Sequence, residues 1–293
     1  MPSSDGPQII ATVDALRERV GHWRGEDARV ALVPTMGNLH AGHLSLVRQA
    51  RLVADRVVVS IFVNPLQFGG GEDFDAYPRT LDADCAALAS VGADVVFHPS
   101  VIEMYPDGTP LVTEVRLRAL ESVLCGEHRD GHFAGVATVV MKLFGQVQPD
   151  VAIFGRKDHQ QLTLIRRLVR DLHVPVQVVA GDTVREPDGL AMSSRNRYLS
   201  DDERAIAPEL QRTLRAVADR IVSGERDVVQ LSAVAMQALN DAGFDPDYVR
   251  VLDALTLTEP DASTTDVVIA AAGHLGRARL IDNVTVPWEA ASR

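Results

Sequence analysis

The sequence predicts an α/β fold in which a parallel β-sheet is covered by helices, followed by a smaller α+β domain. Short β-branched runs such as RVALV (29–33) and RVVVSIF (56–62) are typical of strands that are buried on both faces. Segments in which apolar residues recur at helical spacing separate these runs. Near residues 183–187 the alternation stops, and a helix-rich segment followed by strand-like segments begins.

Up to about residue 180, strands and helices are predicted to alternate. The strands are RVALV, RVVVSIF, ADVVF (93–97), DVAIF (150–154) and VPVQVV (174–179), and the helices cover residues 43–54, 81–92, 136–147 and 161–172. Strands that are joined through helices run parallel. We therefore predict a Rossmann-like domain over residues 1–184, with helices on both faces of its sheet.

Residues 185–293 are predicted to form the smaller α+β domain. The segment DDERAIAPELQRTLRAVADRIV (201–222) predicts one long helix, and a second helix is expected at about 227–242. The segments 247–257 and 266–284 predict strands joined by turns. GHLGRAR (273–279) is a candidate hairpin, although not one of the two-residue kind.

Composition excludes several functional classes. With 293 residues, 46% of them hydrophobic, the chain can form a large core. A net charge of −11 without a basic block argues against sequence-independent nucleic-acid binding. No apolar run is long enough to cross a membrane, and the N-terminus does not resemble a signal peptide. Cys85 and Cys125 are far apart and are expected to be reduced thiols, so we expect a cytoplasmic protein.

The motif HAGH (40–43) lies where a strand turns into a helix. Open α/β sheets bind ligands at such turns, and a helix N-terminus attracts anions. His40 and His43 are three residues apart, so both can donate hydrogen bonds to a phosphate. We also expect the N–H groups near Gly42 to point outward. Two alternatives are a pair of capping histidines and a zinc site, although HAGH lacks the glutamate of HExxH.

A second polar motif, FGRKDHQQ (154–161), follows the strand DVAIF and so opens at the same sheet edge as HAGH. Only Lys142 and Lys157 are lysines among the 29 basic residues. Lys157 is therefore a candidate point charge for a phosphate. Asp158 could orient this lysine or a sugar hydroxyl, and Gln161 could bind a polar substrate. The alternative is a solvated helix start.

A third motif, AMSSRNRYLS (191–200), precedes the predicted long helix. Ser193, Ser194 and Arg195 can surround an anion with hydroxyl and guanidinium donors. Local helix capping is the alternative, and we accept it for Ser200, because Glu203 three residues later completes a capping box.

Two further segments carry polar side chains. FVNPLQFGGGEDF places Asn64 and Gln67 after the second predicted strand, and its glycines 69–71 suggest a mobile lid. A turn closed by Asn-Pro accounts for Asn64 but not for Gln67. In GEHRDGHFAGV (126–136), Arg129 could bind a carboxylate or a phosphate.

Six ordered motifs resemble one known family. HAGH and MSSR are similar to the HIGH and KMSKS-like signatures of the nucleotidyltransferase superfamily. Within it, PTMGNLHAGHLSLV, SIFVNPLQF, YPRT, HFAGV, GRKDHQQL and VREPDGLAMSSRNRYL resemble the pantothenate synthetase (pantoate–β-alanine ligase) family. The motifs run from residue 34 to residue 199.

The resemblance implies a reaction and a site. Pantoate and ATP give pantoyl adenylate and pyrophosphate with Mg²⁺, and β-alanine then gives pantothenate and AMP in a homodimeric enzyme. His43, the proton donor, His40 and Lys157 are the implied catalytic residues. The implied ATP-binding residues are Pro34, Met36, Gly37, Asn38, Leu39, His40, Ala41, Gly42, His43, Gly155, Arg156, Lys157, Asp158, Val184, Met192, Ser193, Ser194 and Arg195. Those implied for pantoate and β-alanine are Gln67, Gln161, Asn64 and Arg129. All of these groups are expected to meet in one pocket.

Two positions depart from the family pattern. Arg156 stands where an acidic residue is common, and His159 stands where an aromatic residue is common. Arg156 could alter nucleotide affinity or face solvent, and His159 could replace a packing ring. Metal ligands are not identified, although Asp82 and Asp84 could be partners of Mg²⁺.

Two other functions compete with the ligase. The first is a related nucleotidyltransferase that acts on a phosphorylated acceptor. Such an acceptor would require more basic residues than Asn64, Gln67 and Gln161 provide. The second is a nucleotide-binding module without catalysis, which would tolerate the loss of one signature, yet both are intact.

Overall fold

Two compact units make up this fold. The structure, a computed structural model, describes residues 6–69, 74–111 and 113–288. The first unit contains the described residues up to 121 together with 129–156 and 164–182, and the second contains 122–128, 157–163 and the described residues from 183 onward. Two segments that precede residue 185 thus belong to the second unit. Nε2 of His159 donates to the carbonyl oxygen of Ala254 at 2.9 Å within that unit.

The secondary structure alternates as predicted in the first half of the chain. The strands are β1 (Gln8–Ile10), β2 (Val30–Thr35), β3 (Arg56–Ile61), β4 (Val95–Phe97), β5 (Val151–Gly155), β6 (Gln177–Gly181), β7 (Asp245–Asp253), β8 (Asp266–Leu275) and β9 (Ala278–Pro287). The helices are α1 (Val13–Gly25), α2 (Ala41–Val53), α3 (Leu81–Ala89), α4 (Val101–Met104), α5 (Arg118–Glu121), α6 (Cys125–His128), α7 (His132–Val147), α8 (His159–Asp171), α9 (Asp201–Ile206), α10 (Glu209–Val222) and α11 (Val228–Asp241). None of the helices within the described ranges has the length and apolar character that a membrane span requires.

A six-stranded sheet in the order β1-β4-β3-β2-β5-β6 organises the first unit. All of its neighbouring strands pair in parallel, which confirms the predicted fold class. From β2 the chain proceeds outward through β3 and β4 on one side and through β5 and β6 on the other. The strand order therefore reverses between β2 and β5, and ligands bind at such a reversal in open α/β sheets.

Apolar burial fixes the direction of α2 on this sheet. Leu46, Val47 and Ala50 of α2 are buried in the same core cluster as Val33 of β2 and Val59 of β3. Their helical spacing and the continuous apolar strands produce this contact directly. The N-terminus of α2 consequently lies where β2 ends.

Three details differ from the sequence predictions. The short β1 and the polar α1 were not predicted, because their apolar residues are few. The predicted long helix is two helices, α9 and α10. Pro208 lies between them, where it lacks an N–H donor and its ring restricts the preceding residue. The β8–β9 hairpin does have a two-residue turn, Gly276 and Arg277, since Leu275 pairs with Ala278.

The second unit contains an antiparallel sheet in the order β7-β8-β9. Helices α10 and α11 contribute to its core, in which Leu214 and Leu231 join Val249, Ile269 and Leu280. The helix predicted at 227–242 is confirmed as α11, and Ser200 and Glu203 form the predicted capping box of α9. A smaller α+β fold is therefore present, as predicted.

Two glycines of α7 give a matched pair of substitutions. A Cβ atom on Gly135 would overlap the carbonyl of Leu66 and lie 2.8 Å from the amide nitrogen of Gln67, whereas one on Gly145 meets nothing within 4 Å. We expect Gly135→Ala to lower the free energy of unfolding by about 1–3 kcal/mol through overpacking. Gly145→Ala should raise it by up to about 1 kcal/mol through helix propensity.

Urea unfolding followed by circular dichroism measures both changes. Equal effects of the two substitutions would contradict the close approach of α7 to residues 66–67.

Candidate active site

His40 and His43 cap the N-terminus of α2 reciprocally. His40 is the N-cap residue, and its Nδ1 accepts the backbone N–H of Gly42 at 3.1 Å. Nδ1 of His43 in turn accepts the backbone N–H of His40 at 3.3 Å. The two ring centroids are 4.1 Å apart. The capping alternative is therefore observed, and the expectation that the N–H of Gly42 points outward was wrong, because the His40 ring accepts it.

This capping determines the tautomer of both rings. A neutral imidazole carries one proton, and a nitrogen that accepts a hydrogen bond is not the one that carries it. Since both Nδ1 atoms accept, the proton of each neutral ring is on Nε2. Capping and phosphate recognition are thus compatible, because Nδ1 holds the helix while Nε2–H is the donor.

A buried carboxylate holds the turn that precedes His40. Gly37 (φ +85°) and Asn38 (φ +51°) both have left-handed backbone conformations. Asp84, which is 3% exposed, accepts the backbone N–H groups of Asn38 at 2.9 Å and Leu39 at 2.8 Å. The hydroxyl of Thr80 also donates to it at 3.1 Å. Asp84 was predicted only as a possible magnesium partner, yet here its carboxylate fixes the turn.

Gln67 is held beside the same turn. Its Nε2 lies 2.9 Å from the sulfur of Met36. Its backbone carbonyl accepts from Nδ1 of His132 at 2.7 Å and from Arg129 at 3.3 Å. Arg129 also donates to Nε2 of His132 at 2.9 Å. These contacts bring Gln67, Met36 and Arg129 together within the first unit.

Asn64 is 1% exposed and acts on Gln67. Its Nδ2 donates to Oε1 of Gln67 at 3.2 Å and to the carbonyl of Gly135 at 3.1 Å. Its Oδ1 accepts the hydroxyl of Tyr105 at 2.7 Å. Burial raises the pKa of Tyr105, which keeps this phenol protonated as a donor. Asn64 was predicted to bind substrate, and in this structure its amide bonds Gln67, Gly135 and Tyr105.

A cavity of about 270 Å³ also lies against the turn before His40. Met36, Gly37 and Asp84 line it, together with apolar side chains such as Phe62. Gln67 does not line it. The cavity is therefore adjacent to the predicted nucleotide turn but is not the space next to the predicted substrate residue.

Gly155 and Arg156 lie at the end of β5, next to β2 at the reversal of strand order. Nε of Arg156 donates to the carboxylate of Asp182 at 3.1 Å, and half of the Arg156 side chain is exposed. The guanidinium of Arg156 is thus partly exposed to solvent, and its effect on nucleotide affinity, the other alternative for this family departure, stays a prediction. At the other departure, Nε2 of His159 donates to the carbonyl oxygen of Ala254, and its role as a replacement for a packing ring stays a prediction.

Lys157 and the serine–arginine loop Met192–Arg195 belong to the second unit. Ser193 is the N-cap of a short 3₁₀ helix, and its Oγ accepts the N–H of Arg195 at 3.2 Å. Lys157, Ser193 and Asn196 line one small cavity. Within the described ranges, Oδ1 of Asn196 is buried and has no hydrogen-bond partner. The predicted lysine and the predicted serine are thus brought together, and Asn196 joins them although it was not predicted.

Three polar residues that support this cluster were also not predicted. Arg185 forms a two-pronged ion pair with Asp282 of β9, at 2.6 and 3.0 Å, and donates to the carbonyl of Gly189 at 3.0 Å. The neighbouring Asn283 donates to the carbonyl of Lys157 at 2.8 Å. Two adjacent polar residues within the strand ARLIDNVTV were the available signal.

The other predicted residues have few described contacts. Asp158 is exposed, and Gln161 and Val184 are half-buried. Gly70 and Gly71 of the predicted lid lie outside the described residues. Cys85 and Cys125 are free thiols, as expected. No group of three or more histidine, cysteine or acidic side chains within the described ranges could hold a metal ion.

Nearly the whole chain is similar to known proteins of one family. Residues 8–285 match the family model described as pantoate-beta-alanine ligase. The pantothenate synthetase of Pseudomonas entomophila (strain L48) is 54% identical over 280 residues, which cover 96% of this chain and 98% of that one. That of Alkalilimnicola ehrlichii is 55% identical over 269 residues, covering 92% and 94%.

Solved structures are similar over the same length. The crystal structure of pantothenate synthetase from Thermus thermophilus has a TM-score of 0.87 and 45% identity, covering 94% of this chain and 98% of that one. Pantoate-β-alanine ligase from Francisella tularensis, complexed with β-γ ATP and β-alanine, has a TM-score of 0.78 and 33% identity, covering 95% and 97%. The chain therefore belongs to the pantoate–β-alanine ligase family.

Proposed function

We propose that this ligase joins pantoate to β-alanine through a pantoyl adenylate, with His40 and His43 acting on the phosphates of ATP. The observation that supports this most is the reciprocal capping of α2, which places the proton of each neutral ring on Nε2. The two rings lie at the reversal of strand order, where this fold class binds nucleotides. The ligand set of the Francisella relative, a nucleotide with β-alanine, is consistent with the same reaction.

In the first step, a pantoate carboxylate oxygen attacks the α-phosphorus of ATP. A carboxylate–phosphorus bond forms, and the bond to the pyrophosphate oxygen breaks. Negative charge grows on the phosphate oxygens, so donors that are already oriented lower the barrier. We assign this role to Nε2–H of His40 and His43 and to the ammonium of Lys157, with His43 as the proton donor. No covalent protein nucleophile is needed.

In the second step, the amine of β-alanine attacks the acyl carbon of the adenylate. The amide C–N bond forms, AMP leaves with the former carboxylate oxygen, and the amine loses a proton. We propose that Gln67, Gln161 and Arg129 hold the acid substrates, and that Asn64 orients Gln67 through the 3.2 Å hydrogen bond.

The remaining ATP contacts are proposed on the order of the family motifs. They include Met36–His43 and Gly155 in the first unit, and Asp158, Val184 and Met192–Arg195 in the second. Arg156 is proposed only as a peripheral contact, because its guanidinium already pairs with Asp182 at the surface.

Mg²⁺ is proposed as the cofactor of the ATP step. The described residues contain no cage of three ligands, and Mg²⁺ typically needs only one or two carboxylates beside phosphate oxygens and water. Asp82 is exposed and suits such a partial role, whereas Asp84 is occupied by the turn. When bound, Mg²⁺ supplies neutralisation of phosphate charge. We further propose a homodimer, a cytoplasmic location, and closure of residues 185–293 over the site.

Exchange of labelled pyrophosphate into ATP tests the proposal. The exchange should depend on pantoate and proceed without β-alanine, because the adenylate forms first. Exchange that requires a phosphorylated acceptor in place of pantoate would favour the related nucleotidyltransferase. ATP binding without exchange for any acid would favour a nucleotide-binding module.

Replacing His43 by alanine should affect the chemical step selectively. We expect His43→Ala to lower the rate of pyrophosphate exchange by about 10²–10³-fold, the usual loss for one preorganised donor. ATP affinity, measured by calorimetry, should change much less. His22→Ala is the matched control, since His22 is a surface residue of α1 paired with Glu26. Equal losses in rate and affinity would assign His43 a ground-state contact only.

Replacing Asp84 by asparagine distinguishes its two possible roles. In Asp84→Asn an NH₂ group replaces one oxygen that accepts backbone N–H groups, so the turn before His40 should shift. We expect at least a roughly tenfold lower kcat, because small displacements in an active site are costly. Higher Mg²⁺ should not restore activity, and Asp171→Asn, at an exposed position paired with Arg170 at the end of α8, serves as control. Recovery of Asp84→Asn at high Mg²⁺ would instead identify Asp84 as a metal partner.

A further inference from the structure

Two buried polar residues of β9 hold two segments to which the proposed function assigns ATP contacts, Lys157 and Met192–Arg195. At adjacent positions of β9, Asp282 is 3% exposed and Asn283 is 9% exposed. Buried polar side chains in a strand are costly unless they form hydrogen bonds. Both residues form such bonds. Asn283 bonds Lys157, and Asp282 bonds Arg185, which precedes the loop Met192–Arg195.

Asn283 holds the main chain of Lys157. Its Nδ2 donates to the carbonyl oxygen of Lys157 at 2.8 Å. Lys157 lies at the junction between β5 and α8, where the chain forms a short 3₁₀ turn. A lysine side chain is long and flexible, so the position of its ammonium depends on a fixed main chain.

Asp282 holds the hairpin that leads to the serine–arginine loop. Arg185 bonds both carboxylate oxygens of Asp282, and the backbone N–H of Asn283 donates to the same carboxylate at 2.8 Å. Arg185 also pairs with Ala191 in an isolated antiparallel bridge. The N–H of Met192 donates to the carbonyl of Val184 at 3.0 Å and closes the hairpin. The start of Met192–Arg195 is therefore tied to β9.

We propose that Asn283 and Asp282 are positioning residues of the adenylation step, with Asn283 fixing Lys157 and Asp282 fixing Met192–Arg195 through Arg185. The inference rests on the proposed ATP contact of Lys157. Both residues are assigned an action through these two segments and not a contact with the nucleotide. Together they give two segments that are distant in sequence a common rigid reference, because β9 pairs with β8 along its whole length.

A double-mutant cycle tests the Asn283 half. Asn283→Ala should lower the pantoate-dependent exchange rate by about 10–100-fold with little change in the KM for pantoate, because misplacement of a catalytic group affects mainly the chemical step. In a Lys157→Ala background, Asn283→Ala should cause less than about a twofold further loss, since no ammonium is left to position. Thr285→Ala, at an exposed position of the same strand, is the control.

A substitution that keeps the side-chain volume of Asn283 distinguishes a positioning role from a role in folding. Asn283→Leu fills a similar space without a donor and should reproduce the loss of rate even if Asn283→Ala unfolds. The shift in melting temperature caused by Asn283→Leu should be similar in the parental and the Lys157→Ala backgrounds. The loss of exchange rate should be large only in the background that retains Lys157.

The outcomes discriminate between the two proposals. If Lys157→Ala slows exchange but both folded Asn283 variants retain the parental rate, the positioning role is wrong and the proposed function stands. If the losses of Lys157→Ala and Asn283→Ala simply multiply, Asn283 does not act through Lys157. If Lys157→Ala leaves exchange unchanged, the ATP role of Lys157 is wrong, and the positioning role is wrong with it.

Arg185→Lys tests the Asp282 half. It retains the positive charge but replaces the two-pronged contact with a single point contact. We expect the KM for ATP to rise by about 3–10-fold, because the start of Met192–Arg195 loses its anchor. A tenfold rise corresponds to a loss of about 1.4 kcal/mol of binding free energy. Arg212→Lys, in a surface pair of α10, is the control. Unchanged ATP kinetics in folded Arg185→Lys would overturn this half.

Discussion

The reciprocal capping of α2 by two imidazoles is the interaction on which the proposed chemistry depends. A helix start leaves several backbone N–H groups without intrahelical partners, and proteins usually satisfy them with serine, threonine or acidic side chains. Here the side chains of His40 and His43 take that role through Nδ1. A hydroxyl or carboxylate would cap the helix equally well. A neutral imidazole accepts at one nitrogen and donates from the other, about 2 Å away, so helix capping and the proposed phosphate contact can share one side chain.

Buried polar groups hold other candidate segments within each unit. Asp84 fixes the turn before His40, and Asn64 fixes the side chain of Gln67. In the second unit, Asp282 and Asn283 hold Arg185 and Lys157. Each of these groups is almost fully buried, where an unsatisfied polar atom is costly. Because moving one of these side chains would leave a buried polar atom without a hydrogen bond, the loops that they hold keep one conformation.

Much of the fold could be predicted because its strands are strongly patterned. RVALV and RVVVSIF are apolar throughout, which is typical of strands buried on both faces, and they form the central β2–β3 pair. The errors occur where pattern is weak or where a single residue overrides it. The polar α1 carries few apolar residues, and Pro208 interrupts an otherwise continuous helical pattern.

For the candidate site, too, some features could be predicted from the sequence and others could not. Motifs were sufficient to select His40, His43, Lys157 and Ser193 as candidates, because each lies directly after a recognisable strand or before a helix. Asn64 was also selected as a candidate, but its contacts with Gln67, Gly135 and Tyr105 could not be predicted, since a turn-forming asparagine has the same appearance in sequence whether it faces substrate or another side chain.

The sequence by itself determined the fold class and the family and selected the candidate segments for the chemistry, because these depend on local periodicity and on ordered motifs. Only the tertiary structure decided which nitrogen of each histidine is the donor, and that Asp84, Asp282 and Asn283 hold the loops. The physical reason is that hydrogen bonds between residues far apart in the chain leave no periodic trace. Asn283 and Lys157 are separated by 126 positions, and their contact exists only once β9 is folded.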